Sequence, residues 1–147
     1  MAKKLKLKIV TPEKLILEEE VDSVTLPTTE GEITILSDHI PLVVGLSSGD
    51  IVASSDGEQI PMAVVGGFVE VNKIDNETNV AILADFAEHV SGYTEEEIEK
   101  AKKKAEELRK QAENNEIVDF EHFESELERS LTRVKIAEKW RTKKYRK

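Results

Sequence analysis

After Tyr93 the apolar period of the chain changes from two to a step of three or four, so its two halves build different structures. Before that point Leu5, Leu7 and Ile9 alternate with lysines, the pattern of a half-buried strand. Val24-Thr25-Leu26, Ile33-Thr34-Ile35, Ile51-Val52-Ala53, Met62 to Val65, Phe68 to Val71 and Val80 to Leu83 continue it. Their β-branched residues suit a pleated surface. Turn residues fall between these runs, at Thr11-Pro12, Gly31, Pro41, Gly45, Gly49-Asp50, Asp56-Gly57, Gly66-Gly67 and Asp75-Asn76. Asp56-Gly57 has the composition of a two-residue hairpin turn, because glycine accepts positive φ. Gly66-Gly67 is expected to be a tight turn or bulge between two strands. Many short strands at this spacing predict a sandwich or barrel.

Beyond Tyr93, Thr94-Glu95-Glu96-Glu97 is a capping box that opens a helix. Ile98, Ala101, Ala105, Leu108 and Ala112 then form one stripe. Asn114-Asn115 ends it, and Asp119 is placed to cap a second helix with the stripe Phe120, Phe123, Leu127, Leu131, Val134 and Ala137. A short connection favours an antiparallel hairpin. The expected organisation is a β domain over residues 1–90 and a helical hairpin with a basic tail over residues 91–147. Three of the five residues in the first stripe are alanines, which bury little area. The hairpin is therefore expected to open at low cost, with Asn114-Asn115 as a hinge.

Charge is divided in the same way. Residues 1–90 hold 6 Lys/Arg against 16 Asp/Glu, while residues 91–147 hold 15 against 14. The acidic first half argues against nucleic-acid binding, since phosphates would repel it. Six of the last nine residues, Lys139 to Lys147, are basic and none is acidic. They read as a solvated, frayed tail or as a tail that finds an acidic protein surface. No run approaches the roughly 18 apolar residues of a membrane span. The N-terminal alternation is unlike a secretory signal. The absence of cysteine removes disulfides, thiolate metal sites and a cysteine nucleophile.

Catalytic chemistry has little to work with. His39, His89 and His122 lie far apart, and Ser37-Asp38-His39 cannot make a triad by adjacency. Gly66-Gly67 lacks the Lys-Ser/Thr of a phosphate loop. Glu18-Glu19-Glu20 with Asp22 reads as solvated charge, not as a metal site. Two features remain for recognition. The turn-rich segment from Leu26 to Leu46 presents Glu30, Glu32 and His39. Arg129 and Arg133 share one face of the second helix, a placement suited either to binding a polyphosphate or to pairing with acids such as Glu126 and Glu128.

Val10-Thr11-Pro12-Glu13, the run from Leu26 to Val43 with Gly31-Glu32, His39 and Pro41-Leu42, Gly66-Gly67-Phe68-Val69-Glu70-Val71, and Val80 to Glu88 follow one another in an order that closely resembles the epsilon subunit of F-type ATP synthases. The resemblance covers nearly the whole chain. It implies a flattened β-sandwich followed by a two-helix hairpin. It further implies a non-catalytic central-stalk subunit that couples gamma to the c-ring in proton-driven ATP synthesis. Glu32 and His39 stand at positions that face the ring in that family. The implied partners are gamma, the c-ring and the alpha/beta catalytic head, with no nucleic acid. The implied location is peripheral, on the cytoplasmic face of a bacterial plasma membrane.

In the family the hairpin also extends into the catalytic head and blocks hydrolysis. Some bacterial members bind ATP on the folded hairpin through Ile/Leu-Asp-x-x-Arg-Ala on the first helix. This chain has Ile98-Glu99-Lys100-Ala101-Lys102-Lys103 there, with Glu for Asp, Lys for Arg and Lys for Ala. Lysine keeps the charge but loses the planar fork. Glu99, Lys102, Arg129 and Arg133 are thus the candidate contacts for ATP or for the head. No cofactor is required on this reading, and ATP would be regulatory. The alternative is a stand-alone ATP-sensing module that uses the same hairpin.

Overall fold

The computed structural model describes residues 3–114 and 119–146. Eight strands come first: β1 (Leu5–Val10), β2 (Leu15–Val21), β3 (Ser23–Thr28), β4 (Gly31–Leu36), β5 (Leu42–Gly45), β6 (Gly49–Ser55), β7 (Glu58–Ile74) and β8 (Glu77–His89). A single 3₁₀ turn, Val90–Gly92, leads to the helices α1 (Glu95–Glu113) and α2 (Phe120–Trp140). The expected order of a β-sandwich followed by two helices is what forms.

The pairing order β2-β1-β8-β7-β6-β3-β4, with β5 on β7, folds into two layers. One layer holds β2, β1, β5, the first half of β8 and the second half of β7. The other holds β4, β3, β6 and the remaining halves of β7 and β8. The core lies between them, with Leu7, Ile9, Val69 and Ile82 from one side and Val24, Leu26, Ile51 and Met62 from the other.

Gly66 and Gly67 do not separate two strands, contrary to the sequence reading. They sit inside the single 17-residue β7. Their positive φ values, 64° and 109°, turn the β7–β8 ribbon over without breaking its register. Val64 and Ala87 face the core, Val65 and Phe86 lie outside it, and Ala84, Val69 and Ile82 face the core again. A Cβ on Gly67 would run into the Leu83 carbonyl and the Ala84 Cα. Only glycine fits there, because the close approach adds to a backbone angle that side chains disfavour.

Two strands escaped the sequence reading. β2 carries Glu18, Glu19 and Glu20, and its charge hides its period. Glu18 and Glu20 face Lys8 and Lys6 across the β1 pairing, which makes the strand favourable. β5 has only four residues.

The helices are capped as expected. Thr94 Oγ1 accepts from the Glu97 N–H at 3.1 Å, and Asp119 Oδ1 accepts from the His122 N–H at 3.2 Å. Arg141 near the end of α2 meets Glu95 at the start of α1, so the pair is antiparallel. On α1, Ala101, Ala105 and Leu108 are buried, but Ala112 is exposed. On α2, Phe120 and Leu131 are exposed, whereas Ile136 and Trp140, outside the expected stripe, are buried. The reason is that α2 has two partners. It packs on α1 and also lies on the sandwich, where Ile136 and Trp140 meet Ala63. Of the expected hinge, Asn114 is the C-cap of α1 and Asn115 lies outside the described residues.

Candidate functional site

The turned ribbon presents Phe86 and Glu88 to α2. The Arg133 Nε donates to both Glu88 oxygens at 3.0 and 3.2 Å, and its Nη2 donates to Oε1 at 2.5 Å. The same guanidinium lies 4.9 Å from the Phe86 ring centre, and that of Arg129 lies 5.2 Å away. Cation–π attraction therefore adds to the bidentate pair. The Tyr93 hydroxyl is buried beside this pair. Burial first, then the Glu88 carboxylate, holds the phenol well above its ordinary value of 10.0. The Glu88 carboxylate also raises the proton affinity of Arg133, which stays charged.

A cleft of about 960 Å³ opens between the sandwich and the hairpin. Arg129, Arg133, Lys14, Lys100 and Lys104 bring positive charge to it, and Glu13, Asp85, Glu88 and Glu97 bring nearly as much negative charge. Glu99 and Lys102 do not line it. Lys102 lies 4.0 Å from Glu99 and 3.3 Å from Glu138, at the outer side of the hairpin. The structure thus brings Arg129 and Arg133 together and leaves the α1 candidates apart from them. No group of acidic and histidine side chains suited to a metal ion occurs among the described residues.

The other candidates lie on the sandwich. Glu32 is exposed near the start of β4, opposite Pro27. His39 follows the end of β4, and its ring Nδ1 meets the Ile40 carbonyl at 2.7 Å. The length of β4, roughly 13 Å at about 3.3 Å per residue from Glu32 to Leu36, separates the two. The loop at His39 is pinned from below. The Asp38 N–H donates to Thr78 Oγ1 at 2.7 Å, and the Asp38 carboxylate pairs with Lys73 at 3.0 Å and Lys3 at 3.4 Å. Lys73 first, then Lys3, hold that carboxyl below its ordinary range.

Of the two sequence readings of the basic tail, the one that has it find an acidic protein surface holds, and what sequence reasoning missed is which surface. The basic tail does not fray among the described residues. Lys139 reaches Asp50, Arg141 reaches Glu95 and Arg146 reaches Glu19. The acidic protein surface that it finds belongs to its own chain. The charge division between the two halves was the signal that pointed there.

Residues 4–90 match the family described as ATP synthase, Delta/Epsilon chain, beta-sandwich domain. The ATP synthase epsilon chain of Desulforamulus reducens is 38% identical over 138 residues, covering 94% of this chain and all of the relative. The chain belongs to the ATP synthase epsilon-chain family. The Dehalococcoides mccartyi epsilon chain is 39% identical over 144 residues, covering 94% of this chain and 95% of its own. The helical half is therefore inside the likeness as well. A chain in the cryo-EM structure of the Euglena gracilis mitochondrial ATP synthase has the same fold. It matches with a TM-score of 0.63 and 24% identity, over 94% of this chain and 79% of that one. Members of the epsilon-chain family are non-catalytic stalk subunits that serve ATP synthesis. None of the described helices is long and apolar enough to cross a membrane.

Proposed function

We propose that this epsilon chain couples gamma to the c-ring in the central stalk, and that its hairpin restrains ATP hydrolysis when it leaves the sandwich for the alpha/beta head. The observation that carries the reading is how the hairpin is held. α1 and α2 meet through Ala101, Ala105 and Leu108, a thin seam. The hairpin rests on the sandwich through α2, by Arg133 on Glu88 and by Lys139 and Trp140 on Asp50. Such contacts can be exchanged for others without unfolding either part, because each part keeps its own hydrogen bonds. Residues 1–90 then act as a mount and residues 91–147 as a brake. Glu32 and His39 face the c-ring, and Glu99 and Lys102, with side chains 63% and 45% exposed, are available to the head. The complex holds the chain at the cytoplasmic face of a bacterial plasma membrane as a peripheral subunit.

The test is ATP hydrolysis by the cognate enzyme depleted of this chain, with add-back of the full chain or of a version ending at His89. Both are expected to bind, and only the full chain to inhibit. Equal hydrolysis with both bound would remove the brake, and failure of both to bind would remove the mount.

A second reading is favoured by the two arginines, Arg129 and Arg133, that line the cleft together. ATP phosphates entering it would meet Arg129, Lys100 and Lys104, and would compete with Glu88 for Arg133. Saturable ATP binding by the isolated chain, lost in the double variant Arg129→Ala/Arg133→Ala, is the expected result. A flat titration would dismiss it.

A further inference from the structure

Trp140, the sole tryptophan, closes α2 and is 3% exposed. It packs with Ile136, Ala63 and Val90. Its indole N–H donates to Asp50 Oδ2 at 2.8 Å, and the same oxygen receives Lys139 Nζ at 2.8 Å. The chain then turns back, with the Lys143 N–H on the Trp140 carbonyl at 3.3 Å. Tyr145 covers the indole edge-on, its ring centre 5.9 Å away at 83°. Beyond it the Arg146 N–H donates to the Gln59 carbonyl at 2.8 Å, and the Arg146 guanidinium reaches Glu19 at 2.9 Å.

We propose that residues 139–146 are a latch that keeps α2 on the sandwich, with the Trp140–Asp50 contact as its fastening and the tail through Arg146 as its cover. The placement carries the inference. The start of α1 is joined covalently to the sandwich through Val90–Gly92, so α1 needs no further attachment there. The end of α2 has no such join, and aromatic burial, a charge-assisted hydrogen bond and a returning tail are concentrated there. The tail lies over Trp140, so it must lift before the indole can leave. The Arg146–Glu19 pair is about a third exposed on each side, which lets the tail lift easily; the indole is dry, which makes it the slower step. The latch rests on the reading that the hairpin moves, and it adds which contact must break first.

Hydrogen exchange on the full chain tests the latch apart from inhibition. Asp50→Ala is expected to speed exchange of α2 amides by roughly tenfold, the effect of losing one charge-assisted hydrogen-bond cluster, with the sandwich unchanged. Tyr145→Ala/Arg146→Ala leaves every sandwich residue in place. It is expected to speed α2 exchange by several-fold, roughly the loss of one weak pair and one ring contact, and to shift Trp140 fluorescence to the red. If Asp50→Ala loosens the sandwich too, the tail variant decides. Exchange of α2 at the wild-type rate in the tail variant, with unshifted fluorescence, overturns the latch. The same variants added to the depleted cognate enzyme are expected to inhibit hydrolysis more strongly. Faster α2 exchange with unchanged hydrolysis keeps the latch and instead sinks the inhibitory reading.

Discussion

Arg133 grips Glu88 with two nitrogens at once, its Nε at 3.0 Å and its Nη2 at 2.5 Å, and stacks the same guanidinium over Phe86. This one side chain ties α2 to the end of β8, 45 residues earlier in the chain. About a third of each partner is exposed, so solvent weakens the pair. Arg133→Ala is expected to weaken hairpin docking by about 1–2 kcal/mol, and Arg133→Lys to recover only part of that. A double-mutant cycle with Glu88→Gln, read by hydrogen exchange of α2, measures the coupling.

Glu88 also repels anions that approach Arg133. Glu88→Gln is expected to tighten ATP binding by roughly three- to tenfold if phosphates use this cleft, since it frees the fork and removes a like charge. Calorimetric titration of the variant against the wild type checks it. Unchanged or weaker binding in Glu88→Gln would place the phosphates elsewhere.

Tyr93 gives an alkaline signature. Its phenol is held above the ordinary value of 10.0 by burial and then by Glu88. Below pH 10.0 both folded and unfolded chains keep the proton, and the stability is fully present. As pH rises past that value, the unfolded chain releases its proton while the folded one retains it. Stability then falls. Urea midpoints measured from pH 9 upward should decline less steeply in Tyr93→Phe than in the wild type.

The glycines of β7 and of the β6–β7 turn separate crowding from backbone preference. Gly57 has φ 83° and nothing near an added Cβ. Gly57→Ala is expected to cost about 1 kcal/mol, from the backbone angle alone. Gly67→Ala meets the Leu83 carbonyl as well, and about 2–4 kcal/mol is expected. Thermal unfolding of the two variants should rank them in that order.

Thr94 starts α1 by accepting from the Glu97 N–H. Thr94→Ala is expected to cost about 1 kcal/mol of helix stability. Amide exchange should rise in the first turn of α1, with β1 to β8 unaffected.

Several of these features were legible in the sequence because they depend on neighbours in the chain. The alternation at Leu5, Leu7 and Ile9, the Asp56-Gly57 turn and the caps at Thr94 and Asp119 are set by local geometry. The Arg129 and Arg133 pair was legible for the same reason, since a spacing of four puts both on one helical face. β2 was hidden, because its glutamates become favourable only beside the lysines of β1. The expected stripe on α2 ran to Ala137 and omitted Ile136 and Trp140. A helix with two partners buries two faces, and a single stripe describes only one.

The sequence by itself determined the two periods, the caps, the turns and the charge division, and its motifs pointed to the family. All of these rest on interactions within a few residues or on composition. Only the tertiary structure decided that Gly66 and Gly67 turn one strand over, so that Phe86 and Glu88 face α2 instead of the core. Only it decided that Arg133 meets Glu88, and that the basic tail returns to Asp50 and Glu19. Those partners lie 45, 89 and 127 residues apart. Such pairs form when the packing of whole layers brings them within a few ångströms, and no local pattern encodes that distance.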